Sequence, residues 1–272
     1  MIFELDKNDF VKILPMYLSE GKTFPLILAV IHQKQPGWVF VDDPVQPTSA
    51  MIMNNFGFLQ LVSVENFERD FIKVFKFPGI SMPSYLLWYS PPPQIQEMFD
   101  GFLHEHVRKR ERARFIFKKN TVENLVKCPD GFNIRRLDKE LIKKTLNFKL
   151  DIGSRFWASI DDFLEQGIGV CVMKGGEIAS LCYSACVVDD LAEIDIVTQK
   201  EYRGIGLAAA AAQSFMTECV RREIIPTWDC FVNNIASMKL AAKLGFEEEW
   251  KYYFYSFNLP INLPSNNKED YQ

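Results

Sequence analysis

Histidine is scarce in this 272-residue chain: His32, His104 and His106 are all of it, and none lies beyond position 106. A site built from the second half therefore has no imidazole base, and a zinc centre lacks its commonest ligand. His104 and His106 stand two apart in a stretch read as helix, which points their rings to different sides, so no metal is expected. The six cysteines (Cys128, Cys171, Cys182, Cys186, Cys219 and Cys230) include no C-x-x-C pair. Most sit in apolar stretches, where a thiol behaves as a small hydrophobe, and a reducing cytoplasm fits them best. Long apolar runs are missing as well. The longest, Phe24 to Ile31, is interrupted by Pro25 and falls far short of the roughly 20 residues that cross a bilayer, so no membrane association is expected. Met1 to Asp6 carries no basic n-region ahead of an apolar stretch, which speaks against secretion. Charge of one sign is also lacking: a net charge of -4 names no nucleic-acid partner.

What is present is the balance of a soluble globular protein, 48% hydrophobic and 24% charged. The length favours two domains. Periodicity lapses from Lys118 to Gly131 and ends in the turn signal Cys128-Pro129-Asp130-Gly131. This predicts an N-terminal domain over 1–125, a second over 126–260 and a tail over 261–272. Just before the lapse, Arg108 to Lys119 holds seven Lys or Arg in twelve residues. It reads as a solvated helix end running into an edge strand rather than as a surface for phosphates.

Strands are predicted in the first half over 38–41, 50–54, 58–64, 85–89 and 112–117, with helices over 66–75 and 95–107. In the second half, Phe132 to Leu137 alternates as a strand, and Asp138 caps a helix to about Phe148. A short helix over 161–165 follows, then strands over 169–174 and 178–188 joined at Gly175-Gly176, and a strand over 192–198. A long helix over 206–222 comes next, then a strand over 227–232, a helix over 237–244 closed by Gly245, and a last strand over 247–257. The fold class is α+β.

Strand, tight turn and helix meet at Thr198 to Ala208. Glycines at a helix mouth let backbone N–H groups approach an anion, and the helix dipole adds partial positive charge, so a diphosphate suits the turn. The chain has no Gly-x-Gly-x-x-Gly with an acidic residue placed for a ribose and no Gly-Lys-Ser/Thr, which removes dinucleotide and P-loop readings.

Arg203-Gly204-Ile205-Gly206-Leu207-Ala208 resembles the Q/R-x-x-G-x-G/A signature of the GNAT acetyltransferase superfamily. Asn234 to Phe246 resembles that family's second motif, in which an Asn opens a helix ending in Gly-Phe. The resemblance implies a mixed, mostly antiparallel sheet flanked by helices, with the first half a degenerate copy of the second. It also implies acetyl-CoA as cosubstrate and no metal, the diphosphate gripped at Arg203 to Ala208 and the second motif contributing Asn234 and Ser237. The runs Ala192 to Thr198 and Pro226 to Cys230 look most like the subgroup containing the zwittermicin A resistance acetyltransferase.

Acetyl transfer needs a neutral amine, whereas aliphatic amines have pKa values near ~10, so a base is wanted. Without histidine it must be a carboxylate. Glu193, Asp195 and Val197 share one face of their strand by the period of two. Many family members place a Glu there, which selects Glu193 first and Asp195 second. The alternative, that these carboxylates pair with an Arg or cap a turn, stands beside that reading. The family's oxyanion donor is a backbone N–H of the same strand, expected near Val197 with Ile196 and Thr198 flanking it. Trp228 and Asp229, on the facing strand, are candidates for the acceptor. Where the family often has a Tyr in its second motif, this chain has Ala241. The expected reaction is acetylation of a small-molecule amine, such as an aminated antibiotic or metabolite, by direct attack. Acetylation of a protein amine, or a CoA-binding protein without activity, are the alternatives, and a homodimer is left open.

Overall fold

Short period-two stretches dominate the chain and give it mostly strands. The computed structural model describes residues 2–63, 71–75, 81, 83–101, 107–119, 121–122 and 126–259. In the first half the strands are β1 (Phe3–Glu4), β2 (Gly37–Val41), β3 (Ala50–Asn54), β4 (Phe58–Val62), β5 (Tyr85–Tyr89) and β6 (Val107–Ile116). The second half contributes β7 (Asn133–Arg136), β8 (Gly169–Lys174), β9 (Glu177–Val188), β10 (Leu191–Thr198), β11 (Ile225–Phe231) and β12 (Glu247–Asn258). Helices α1 (Leu14–Ser19), α2 (Pro25–Ile31), α3 (Phe71–Val74) and α4 (Pro93–Gly101) belong to the first half. Helices α5 (Lys139–Lys144), α6 (Ile152–Arg155), α7 (Ile160–Gln166), α8 (Leu207–Arg221) and α9 (Ile235–Lys243) belong to the second. The tail 261–272, His104, His106 and the start of the helix predicted over 66–75 lie outside the described residues.

All twelve strands form one sheet in the order β1-β2-β3-β4-β5-β12-β6-β11-β10-β9-β8-β7. Neighbours run antiparallel except β4 with β5 and β10 with β11. The expected mixed, mostly antiparallel sheet flanked by helices is what the chain forms. The order reads the same from either end when each strand is exchanged with the one six places along. The halves also trade their last strands: β6 lies between β12 and β11, and β12 lies between β5 and β6. The hydrogen-bonded ladder thus runs on across both halves.

This exchange corrects the reading of the basic run. Arg108 to Ile116 lies in an interior strand, paired with β12 along its length and with β11 from Arg112 onward, and α4 is described as far as Gly101. Alternation turns Arg110, Arg112 and Arg114 to one face, where Arg114 is buried against acids of the second half, and leaves Lys109 on the other.

Three apolar clusters follow from the faces. One lies under α8 and α9 and includes Ala192, Ile194, Leu207, Phe215 and Trp228. A second packs α4 on β5 and β12 through Trp88, Phe99 and Phe257. The third, on the opposite face, draws residues from both halves and surrounds α2, all seven of whose residues are buried. Before α2, Tyr17 Oη accepts from Phe24 N–H at 2.6 Å, tying the turn into the helix. Gln35 Nε2 donates to Ala185 C=O at 2.6 Å, a tie between the halves on the same face.

Candidate functional site

The mouth of α8 is shaped by two glycines. Gly204 and Gly206 have φ of 82° and 94°, a conformation that disfavours side chains, while a Cβ at either would meet only open space. Conformation, not crowding, is what requires glycine here. Gly206 is the N-cap and no side chain caps the helix, so the first N–H groups of α8 face outward without intrahelical partners. Ala209 to Ala212 are buried, and their small side chains let α8 lie close to the sheet. Arg203 folds back so that its Nε donates to Thr198 C=O at 3.1 Å.

Helix α9 forms the other wall. Asn234 is its N-cap, accepting from Ser237 N–H at 3.2 Å, and Ser237 Oγ in turn accepts from Trp228 Nε1 at 2.9 Å. Between the mouth of α8, the end of β10 and α9 lies a cavity of about 470 Å³. Ile196, Thr198, Arg203, Gly204, Gly206, Leu207, Ala208, Asn234 and Ser237 line it, joined by Tyr202, Trp228, Lys239 and Lys243. Ile205 is exposed beside it. Trp228 therefore belongs to the wall shared with α9. Residues 228 and 229 point to opposite faces of β11.

The cavity continues into a gap in the sheet. The β10–β11 ladder registers Leu191, Ala192 and Glu193 against Ile225, Pro226 and Thr227 and goes no further, although β10 runs on to Thr198. Among the described residues no strand lies opposite the backbone groups of β10 on that side beyond Glu193. Gln199 N–H bonds Ala179 C=O at 2.9 Å, and antiparallel alternation makes Val197, two residues back, another that faces β9. Ile196 and Thr198 turn their backbone N–H groups to the gap.

On the face away from α8 and α9, carboxylates and arginines interleave. Glu193 sits at the apex of the gap with its side chain 9% exposed, ion-paired to Arg114 Nη1 at 2.5 Å and accepting from Thr227 Oγ1 at 2.8 Å. Burial pushes its carboxyl above the ordinary range, against the opposing charge of Arg114. Arg114 is held charged still more firmly than a free guanidinium by Glu193, although burial opposes this. Asp229 is likewise committed: Arg112 Nε reaches it at 2.5 Å, Tyr252 Oη donates to it at 2.8 Å, and its side chain is 3% exposed. A role for Asp229 in gripping substrate is not supported, because its oxygens are already engaged. Asp195 differs. Its side chain is 33% exposed, accepting from Tyr183 Oη at 2.7 Å, with Arg155 Nη1 at 3.8 Å.

Ala241 is buried in the α9 wall, so no phenol stands there. Tyr252 is buried on Asp229, Tyr255 Oη donates to Asp100 at 3.2 Å on the other face, and Tyr253 is exposed. Burial pushes the Cys230 thiol up, which disfavours a thiolate nucleophile.

Several residues of this face went unnoticed in the sequence. Arg155 lies over the rings of Phe56 and Phe156 at 4.9 and 5.1 Å, and Arg110 lies over Phe231 at 4.0 Å. Phe56 from the β3–β4 turn and Phe156 after α6 meet at 5.3 Å between centroids, closing one half over the other. The period-two spacing of Arg110, Arg112 and Arg114 was a readable signal. The contacts between residues distant in sequence were not. Among the described residues no cluster of three potential metal ligands occurs, and no helix is long and apolar enough to cross a membrane.

The GNAT acetyltransferase family model matches residues 17–255. An uncharacterized N-acetyltransferase of Bacillus subtilis (strain 168), YdfB, is 28% identical over 256 residues, spanning 93% of this chain and 97% of its own. A GCN5-related N-acetyltransferase-like protein from Streptococcus suis 89/1591 superposes with a TM-score of 0.74 at 22% identity, covering 93% of this chain and 100% of that one. A tandem GNAT protein from the clavulanic acid biosynthesis pathway gives a TM-score of 0.61 at 12% identity over 95% and 98% of the two chains. At these identities the solved structures speak for the fold, and the family model, matching most of the chain, decides membership. The chain belongs to the GNAT acetyltransferase family.

Proposed function

We propose that this enzyme transfers the acetyl group of acetyl-CoA to the amine of a small molecule by direct attack. The observation that carries the reading is the divergence of β10 from β11 beyond Glu193, opening into the cavity at the uncapped mouth of α8. The diphosphate is bound by the N–H groups from Gly204 to Ala208, whose geometry and dipole suit an anion. The pantetheine arm runs past Ile196 and Thr198, and the amine approaches from the arginine-lined face.

The amine nitrogen forms a bond to the acetyl carbon while the carbon–sulfur bond breaks and CoA leaves as thiolate. The N–H of Ile196 or Thr198 meets the oxygen that gains charge. Asp195 takes the proton. It is the more exposed of the two carboxylates expected to do so, and Tyr183 orients it, whereas Glu193 is occupied by Arg114 and Thr227. A small acceptor is favoured over a folded protein because Phe56 and Phe156 meet across this approach. Within the family, the sequences of β10 and β11 suggest the subgroup of the zwittermicin A resistance acetyltransferase. The first half supplies the acceptor side and takes no CoA.

Free CoA release measured across a panel of amines tests the reading. Asp195→Asn keeps shape and removes the base, with an expected loss of about 10²–10⁴-fold in kcat. An unchanged rate and pH profile would move the base to Glu193 or to a water chain, and a panel without release under saturating acetyl-CoA would reject acetyl transfer to small amines.

A further inference from the structure

The three arginines that alternate along β6 are not equivalent. Arg114 has Glu193 and Arg112 has Asp229. Arg110, next on the same face, has no carboxylate among the described residues. Its contacts are Ser256 Oγ, to which Nη2 donates at 3.3 Å, and the ring of Phe231 at 4.0 Å from the guanidinium carbon. Its Nε is buried without a hydrogen-bond partner. A guanidinium always carries its charge, and a buried donor left unpaired is unfavourable. Two buried pairs and one unmatched cation on a single strand face is an arrangement that lacks an anion.

Its position says where that anion belongs. Phe231, over which Arg110 is stacked, ends β11, the strand that borders the gap opposite Ile196 and Thr198. The stacking fixes the plane of the guanidinium and leaves its N–H edge as the part available to a ligand. Strand β6 lies two strand spacings from β10, roughly 10 Å, and the length of the arginine side chain reduces the separation from the gap. At the other end of this face Asp195 is the exposed carboxylate.

We propose that Arg110 binds an anionic group, a carboxylate or phosphate, carried on the acceptor a few bonds from the amine that is acetylated. The acceptor class is then an amino acid-like or phosphorylated amine and not a polycationic one, which sets it apart from antibiotics that carry amines alone. This rests on acetyl transfer occurring at the β10–β11 gap, but the binding of the anion is measurable without turnover.

The test uses the full chain saturated with CoA, so that acceptor binding is read in a complex that cannot react. Calorimetry compares 4-aminobutyrate and 6-aminohexanoate with 1-aminobutane and 1-aminohexane, and 3-aminopropylphosphonate distinguishes phosphate-like anions from carboxylates. The members that carry a carboxylate or phosphonate are expected to bind about 10- to 100-fold more tightly than the alkylamines that lack one, the range for a hydrogen bond to a charged group. Arg110→Met, which keeps the stem over Phe231, brings that ratio to about 1, and Arg110→Lys, which keeps the charge, retains part of it. Equal affinity for amines with and without the acidic group in the native protein, or loss of both classes alike in Arg110→Met, would overturn the assignment. Acetylation without discrimination between the classes rejects the role of Arg110 while leaving acetyl transfer in place. Arg110-dependent binding with no CoA release in acetyl-CoA would uphold it and reject the reaction.

Discussion

Replacing Arg114 with Met cuts the ion pair that joins a strand of the first half to the apex of the gap. The guanidinium and the Glu193 carboxylate are 2.5 Å apart with side chains 4% and 9% exposed, so neither is compensated by water once the other is gone. Breaking such a pair costs about 3–5 kcal/mol. The lower end applies, because Glu193 keeps the Thr227 hydroxyl at 2.8 Å and can take up a proton. That proton sets the pH dependence. Burial already raises the Glu193 carboxyl above its ordinary 4.5, and removing Arg114, the chief opposing influence, raises it further. A carboxyl with a raised folded-state pKa binds more protons folded than unfolded, so its contribution becomes unfavourable as pH rises through that window. The deficit of Arg114→Met should therefore widen as pH rises above the ordinary 4.5. Arg114→Met with Glu193→Leu removes both charges and should return to within about 1 kcal/mol of the native protein. Urea denaturation across this pH range, followed by fluorescence, reads these values, and the interleaved β6 and β12 predict one transition for both halves. A cost below about 1 kcal/mol for Arg114→Met, or a double variant as unstable as the sum of the singles, would refute the reasoning.

Glu218 offers a second titration of opposite sign. Hydrogen bonding from Arg221, with Arg222 and Arg136 adding to it, holds its carboxyl down to about 2. Its contribution is present above the ordinary 4.5 and lost as pH falls toward 2. Since Arg221 is 65% exposed and screened, Glu218→Gln should cost only about 1 kcal/mol at neutral pH, with the difference vanishing in acid denaturation curves near the lower limit. Tyr252→Phe, Tyr253→Phe and Tyr255→Phe should each leave turnover within about tenfold, because CoA thiolate departs without an acid. A larger loss in one of them, with acetyl-CoA affinity intact, would locate a general acid on β12.

Much of the second half was legible because its signals are local. Asp138 caps α5 by accepting from Leu141 N–H at 2.8 Å, and Gly175-Gly176 turns β8 into β9. Residues of both motifs line one cavity, and Arg203 to Ala208 and Asn234 to Ser237 each carry their own turn chemistry. Helix α2 escaped notice because a wholly buried helix has no amphipathic period to detect. The basic run was misread because surface charge is the usual fate of such a stretch, and the acids that pair its buried arginines are distant in sequence: Glu193 lies 79 positions from Arg114, and Asp229 lies 117 from Arg112. The pairing of Glu193 with Arg114 was hidden for the same reason. Pairing distant in sequence, here produced by the exchange of β6 and β12, is what local patterns cannot encode.

The account stands on acetyl-CoA occupying the mouth of α8, and Ala208→Asp tests that directly. Ala208 lines the cavity in the first turn of the helix, where an Asp is favourable to the helix itself, so the fold should be undisturbed while a carboxylate faces the diphosphate. Gly206 is less suitable, since at φ 94° any side chain there strains the backbone. Calorimetric titration of acetyl-CoA into the native protein should show binding, and the Ala208→Asp protein, folded by circular dichroism, should bind at least about tenfold more weakly, the scale of one charge–charge contact. Native affinity in the folded variant would contradict the placement of the cosubstrate and the reaction built upon it.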